Sequence, residues 1–259
     1  MSEILFERSA SGIATITLNR PHRKNAVPPE MWNELRRRFE EVSQTASDRV
    51  LVITGAGDAF CTGADLGGVA VSADRGHPLH AMIPVNAAAL ALHEVTKPTI
   101  AKVNGDAVGA GMNLALGCDL VVAAESARFS EIFARRGLSL DFGGSWLLPR
   151  LVGMHKAKEL ALFGDILPAR EAERIGLVNR VVPDAELDGF VQEWAERLAG
   201  SAPLALQLTK KLLSSSFSVG MSEALDAEAA AQSVNLASED TKEGVVAFLE
   251  KRKPVFRGR

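Results

Sequence analysis

The chain has 259 residues and a mass of 27.6 kDa, with 47% hydrophobic and 24% charged residues. At that length roughly 70–75% of the unfolded chain's surface can be buried, so one large domain with a full core, or two small ones, can form. A formal charge of −3, the absence of tyrosine and only two cysteines argue against nucleic-acid binding through bulk charge, RNA binding through stacked aromatics, and a disulfide framework.

The opening residues, Met1 to Gly12, carry charges where a secretory signal needs an apolar core. The cysteines, Cys61 and Cys118, suit a reducing compartment, so a cytoplasmic location is expected. Ile13 to Leu18 alternates apolar residues with Thr and ends at Asn19-Arg20-Pro21, which predicts a strand. Pro28-Pro29-Glu30 opens a helix to about Thr45, with Met31, Leu35, Phe39 and Val42 at helical spacing. Val50 to Thr54 is nearly all apolar and reads as a buried strand. A long loop from Gly55 to about Pro78 leads to a helix near Leu79–Val95. Thr99–Val103 is a further strand, and a glycine turn feeds an apolar helix over Gly109–Gly117. The charge-free stretch Ala107–Cys118 is too short to cross a bilayer, which needs ~20 residues, and no membrane association is expected. Asp119–Ala124 is a third buried strand, so the middle of the chain alternates in the manner of a parallel α/β sheet. After Ser130 the pattern is helical: 144–151, 154–163, 169–175, 185–198, 203–215, 222–237 and 241–251, with only Asn179–Val182 extended between them. A shift near Gly200 divides a core, residues 1–200, from a helical tail, 201–259.

The glycine loops match no nucleotide fingerprint. No P-loop occurs, Phe60 stands where a dinucleotide loop needs its third glycine, and Gly143-Gly144-Ser145-Trp146-Leu147 is no nucleophile elbow. The five histidines lack metal-ligand spacing; His77 and His80 read as solvated, and neither a metal nor a redox cofactor is expected. Two loops stand out. Phe60–Leu66 follows one buried strand, and Asn104–Gly111 follows another and opens a helix. In a parallel sheet such loops share an edge and can converge. Free N–H groups at Ala64 and Ala110 would then point at one oxygen, as an oxyanion hole requires; the alternative is that the glycines only serve tight turns.

Phe60-Cys61-Thr62-Gly63-Ala64-Asp65-Leu66, Val103-Asn104-Gly105 through Asn113-Leu114-Ala115, Cys118-Asp119 and Gly143-Gly144 resemble the crotonase, or enoyl-CoA hydratase/isomerase, superfamily. The resemblance runs from Leu18-Asn19-Arg20-Pro21 to Phe248-Leu249-Glu250-Lys251-Arg252. It implies a ββα spiral core, coenzyme A thioester substrates with coenzyme A as part of the substrate, and homotrimers or dimers of trimers packed through the C-terminal helices. It also implies that the N–H groups of Ala64 and Ala110 hold the thioester oxygen. The backbone around Lys24 and from Asp65 through Leu66 to Gly67 would line the coenzyme, with Phe248 and Lys251 reaching its adenine end in the same or a neighbouring subunit. Typical hydratases of this family carry two catalytic glutamates, and this chain has Asn113 and Phe133 there. Glu131, two residues from the Phe133 position, is expected on the surface or in a cap, because two helical residues are a rotation of ~200°.

Asp141 precedes Phe142-Gly143-Gly144. By itself it reads as an N-cap on the following helix. The stretch Leu140–Arg150 is most similar to the phenylacetate-pathway isomerase branch, and that resemblance makes Asp141 an acid/base. One carboxylate with an oxyanion hole suits a 1,3-proton shift, with Phe133, Phe142 and Trp146 excluding water around it. Hydration, dehalogenation or hydrolysis through Asp141, with Asn113 orienting water, is the second reading. A catalytically silent homologue that binds CoA esters or RNA is the third. The basic run Arg36-Arg37-Arg38 alternates with Glu34, Glu40 and Glu41 and reads as a solvated helix face, so no nucleic-acid partner is expected.

Overall fold

A computed structural model describes residues 2–68 and 78–259. The expectation for His77, and much of the loop expected between Gly55 and Pro78, lies outside the described residues. The chain opens with an antiparallel hairpin, β1 (Ile4–Arg8) and β2 (Ile13–Leu18). Helix α1 (Pro29–Gln44) follows, with Met31, Trp32, Leu35, Phe39 and Val42 buried along one stripe. Its opposite face carries Arg36 on Glu40 at 2.7 Å and Arg38 on Glu41 at 2.9 Å, as a solvated face should.

Three turns of a spiral come next. Each gives a longer strand to one sheet and a three-residue strand to another. The first turn supplies β3 (Val50–Gly55), β4 (Ala59–Cys61) and helix α2 (Pro78–His93). The second supplies β5 (Thr99–Val103), β6 (Asp106–Val108) and the wholly buried helix α3 (Ala110–Leu116). The third supplies β7 (Leu120–Ala124) and β8 (Arg128–Ser130), then a 3-10 turn at Ile132–Arg136. Helices α4 (Gly144–Val152) and α5 (Met154–Phe163) follow. Then come β9 (Leu167–Pro168), α6 (Ala169–Arg174), β10 (Arg180–Val182) and α7 (Leu187–Ala199). The first sheet runs β1-β2-β3-β5-β7-β10 and the second β4-β6-β8-β9. Every residue of β3 is buried, because helices cover this sheet on one face and the small sheet with α3 on the other.

The long elements lie where periodicity predicts them. The small sheet does not: Ala59–Cys61 and Asp106–Val108 were expected in loops, and β9 adds extended chain after Ser130 besides Arg180–Val182. Strands of two or three residues are too short to show a period of two. The sheets are also not purely parallel, since β1–β2 and β8–β9 are antiparallel.

Three helices end the chain: α8 (Pro203–Ser215), α9 (Met221–Ala237) and α10 (Glu239–Leu249). Helix α8 is tied to the core where Lys210 Nζ meets Asp119 at 2.7 Å and donates to the Lys97 carbonyl at 3.1 Å. Asp119 also accepts the N–H and hydroxyl of Thr99. Among the described residues no helix is long and apolar enough to cross a membrane.

Candidate active site

The loop after β4 and the start of α3 meet at the edge of the small sheet. Gly63 makes the approach possible. A methyl group there would lie 2.9 Å from the Val108 carbonyl and 3.3 Å from the Ala110 nitrogen, and its φ of +90° is one L side chains rarely adopt. Val27 pins the same loop: it donates to the Gly63 carbonyl at 2.8 Å and accepts from the Asp65 N–H at 2.9 Å. Between those two bonds the N–H of Ala64 finds no protein acceptor among the described residues. The N–H of Ala110, first residue of α3, finds none either. Two unused donors thus flank the contact between Gly63 and the start of α3.

Asp65 is a strut of this loop. Its carboxylate takes Arg20 at 2.9 Å and the Gly67 N–H at 3.0 Å, and the guanidinium holds it below the usual carboxylate range. Leu66 and Gly67 continue the loop, exposed. Lys24 stands in the left-handed region with its carbonyl accepting the Thr62 N–H, so its backbone runs beside the loop that carries Ala64. Its ammonium pairs with Asp106 at 3.1 Å.

Three residues along α3 from Ala110, about 60° round the helix, lies a polar cluster inside the protein. Asn113, fully buried, donates from Nδ2 to the Asp141 carbonyl at 3.0 Å and to Glu131 Oε2 at 3.4 Å. It is wedged in place by Gly144, where a methyl group would come within 2.4 Å of Nδ2. Asp141 precedes a left-handed pair, Phe142 (φ +46°) and Gly143 (φ +81°), and Phe142 is held there by its ring 5.2 Å from Trp32 of α1. The N-cap of α4 is Gly143, with no side-chain cap bond, so the Asp141 carboxyl does not cap the helix. Its Oδ1 is buried without a partner, and burial pushes the carboxyl up to about 6.

Glu131 corrects an expectation. It was expected on the surface or in a cap; it is the residue that precedes the 3-10 turn, but its side chain makes no cap bond and it is 1% exposed. It precedes the 3-10 turn with φ −84° and ψ 59°, so a helical rotation from Phe133 does not apply. Burial, with the Asp141 charge adding to it, pushes its carboxyl up to about 8. Phe133 lies where it can line the donors: its ring tip is 3.6 Å from where a methyl on Gly109 would sit, one residue before Ala110. Among the described residues no three His, Cys, Asp or Glu side chains group as a metal site.

The sequence profile described as enoyl-CoA hydratase/isomerase matches residues 8–259. The chain belongs to that family. Among its relatives, it is 39% identical to 1,2-epoxyphenylacetyl-CoA isomerase of Escherichia coli (strain K12) over the whole of both chains. It is 41% identical to a probable enoyl-CoA hydratase of Rhodobacter capsulatus over 96% of each. The crystal structure of an enoyl-CoA hydratase from Bacillus anthracis superposes with a TM-score of 0.95 at 34% identity, covering all of both chains. The fold is the crotonase fold, and the spiral of two sheets described above is its core.

Three residues named from the sequence make their described contacts elsewhere in the chain. Trp146 sits two residues beyond Gly144, about 200° round α4 from the face that touches Asn113. Its ring meets His93 edge-on at 5.2 Å and lies under the Arg150 guanidinium at 4.0 Å. The described ring contacts of Trp146 are thus with His93 and Arg150. Phe248, 81% exposed, and Lys251 project from the end of α10, which packs on α9 and the C-terminal segment, and have no described contact with Ala64 or Asp141 of the same chain. Glu131 is the residue that sequence reasoning missed. The strand before it, Arg128-Phe129-Ser130, has a single apolar residue and gives no sequence signal for the burial.

Proposed function

We propose that the chain isomerises an enoyl-CoA or ring-bearing acyl-CoA by a 1,3-proton shift. The N–H groups of Ala64 and Ala110 hold the thioester oxygen as negative charge develops on it. Asp141 removes the α-proton and returns it two carbons along. The observation that carries this reading is the Asp141 carboxyl itself: buried, released from helix capping, and raised to about 6, where it is a base at neutral pH and still a competent acid. Coenzyme A enters as part of the substrate, along the Lys24 and Asp65–Gly67 backbone. No separate cofactor takes part.

Hydration is the second reading, and Glu131 is the observation that favours it, because two carboxyls can share the water proton and the C2 proton. Against it, both N–H groups of Asn113 are already engaged by Glu131 and Asp141, which leaves only Oδ1 to orient a water.

The test compares wild type, Asp141→Asn and Asn113→Ala on 3-hexenoyl-CoA, following the transferred proton in deuterated water. Loss of a general base costs ~10²–10⁴-fold, and Asp141→Asn is expected to lose turnover in that range. Hexanoyl-CoA binding is expected to hold, because the oxyanion donors are main-chain groups. Asn113→Ala should lose less, since Asn113 carries no proton. Undiminished turnover in Asp141→Asn would remove Asp141 from the chemistry. Addition of water to 2-hexenoyl-CoA, without isomerisation, would establish the second reading.

A further inference from the structure

We propose that Glu131 is a positioning residue for Asp141: through the Asn113 amide, it fixes the turn that presents the Asp141 carboxyl, and it does so as a neutral acid. The proposal rests on Asp141 being the acid/base.

The geometry is a bridge. Asn113 Nδ2 has two hydrogens and two acceptors, one the Glu131 carboxyl and the other the Asp141 carbonyl. The amide has no freedom to choose others, because the Gly144 backbone lies against it. Glu131 thus holds one end of a link whose other end is the residue that carries the base. Its own oxygens are sealed: the side chain is 1% exposed and Oε1 contacts neither solvent nor a partner. It sits behind Asn113 and acts through it.

Charge decides the protonation state. The groups that face Glu131 are Asn113 from α3, Asp141 from the turn before α4, and the uncharged Gly164 after α5, which lies against its carbonyl. Arg135, on its own segment, turns outward to Asp165 and the Phe163 carbonyl. No cation pairs with Glu131 among the described residues. A buried carboxylate with one long hydrogen bond and a second carboxyl nearby is poorly stabilised, so it keeps its proton. Once alkali removes that proton, a second negative charge enters the region where the enolate must form. Turnover then falls, although Asp141 remains ionised.

The experiment measures kcat/KM for 3-hexenoyl-CoA from about pH 5 to about pH 10 in wild type, Glu131→Gln and Glu131→Met. Wild type should rise through about 6 and fall through about 8. Glu131→Gln keeps an acceptor for Asn113 and cannot ionise. It should stay within about threefold of wild type at neutral pH and lose the alkaline fall. Glu131→Met removes the acceptor and should lose ~10–100-fold in kcat, as misplacement of a reacting group does, while its affinity for hexanoyl-CoA holds. Infrared difference spectra of wild type against Glu131→Gln, taken without substrate, should show a protonated carboxyl band that disappears near pH 8. An alkaline fall retained in Glu131→Gln, or the absence of that band, overturns the role of Glu131 whether or not Glu131→Met folds. Undiminished turnover in Asp141→Asn overturns the acid/base reading, and this proposal with it. Lost turnover in Asp141→Asn with an unchanged profile in Glu131→Gln overturns this proposal alone.

Discussion

Asn113 stands where typical hydratases of the family carry a glutamate, and the exchange changes what the position can do. An amide cannot accept a proton in catalysis, but its nitrogen can hold two acceptors at once, and here it does. Glu131 leaves a second trace, in stability. Between its ordinary 4.5 and about 8, the folded chain holds a proton that the unfolded chain has released. Folding is then favoured by acid, and the contribution of this group weakens by ~1.4 kcal/mol per pH unit across that window. Asp141 acts in the same direction between 3.8 and about 6. Thermal melts of wild type and Glu131→Gln should therefore diverge as pH rises. The variant gains relative to wild type up to about pH 8 and no further. A difference independent of pH would show that Glu131 is ionised in the folded protein.

Among elements, the contact between the β4 loop and α3 is the most exacting. Gly63→Ala forces a methyl against the Val108 carbonyl and a side chain into a left-handed backbone. It should cost ~1–3 kcal/mol of stability and weaken hexanoyl-CoA binding, which Asp141→Asn should not. Calorimetric titration separates the two, and unchanged binding in Gly63→Ala would show that the loop adjusts without disturbing the donors. How much of this was legible in the sequence depended on element length. Helix α1 announces itself by periodicity and β3 by its unbroken apolar run, whereas β4, β6 and β9 are too short to show either. The loops carrying Ala64 and Ala110 were legible through their small residues. Asp141 was legible by resemblance, and its release from capping was not, because that depends on Phe142 taking a positive φ against Trp32. Glu131 was misread because a helical wheel was applied across a point where the helix has not begun. The contact of the Trp146 ring with His93 was not legible either, because it joins α4 to the distant helix α2.

At the scale of the whole molecule, the C-terminal helices leave large apolar side chains uncovered, among them Leu213, Phe217, Met221, Leu236, Phe248 and Leu249. Patches of this extent on a single chain mark association surfaces. We propose that copies of this chain cover them in a homotrimer or a dimer of trimers, with α8–α10 as the packing module. Light scattering at micromolar concentration should give a mass that is a multiple of three times the 27.6 kDa chain; a monomer would contradict this.

The two free donors belong to the main chain, and that has a consequence for descent. Any residue except proline at positions 64 and 110 still supplies an N–H. A point substitution there changes the side chain and leaves the donor. The carboxyls have no such insurance: each is one codon from disappearing. On the proposed reading, acids and bases can be exchanged around a constant pair of main-chain donors, and differences in activity would fall at positions 113, 131, 133 and 141. The side chains of Ala64 and Ala110 would carry no such information.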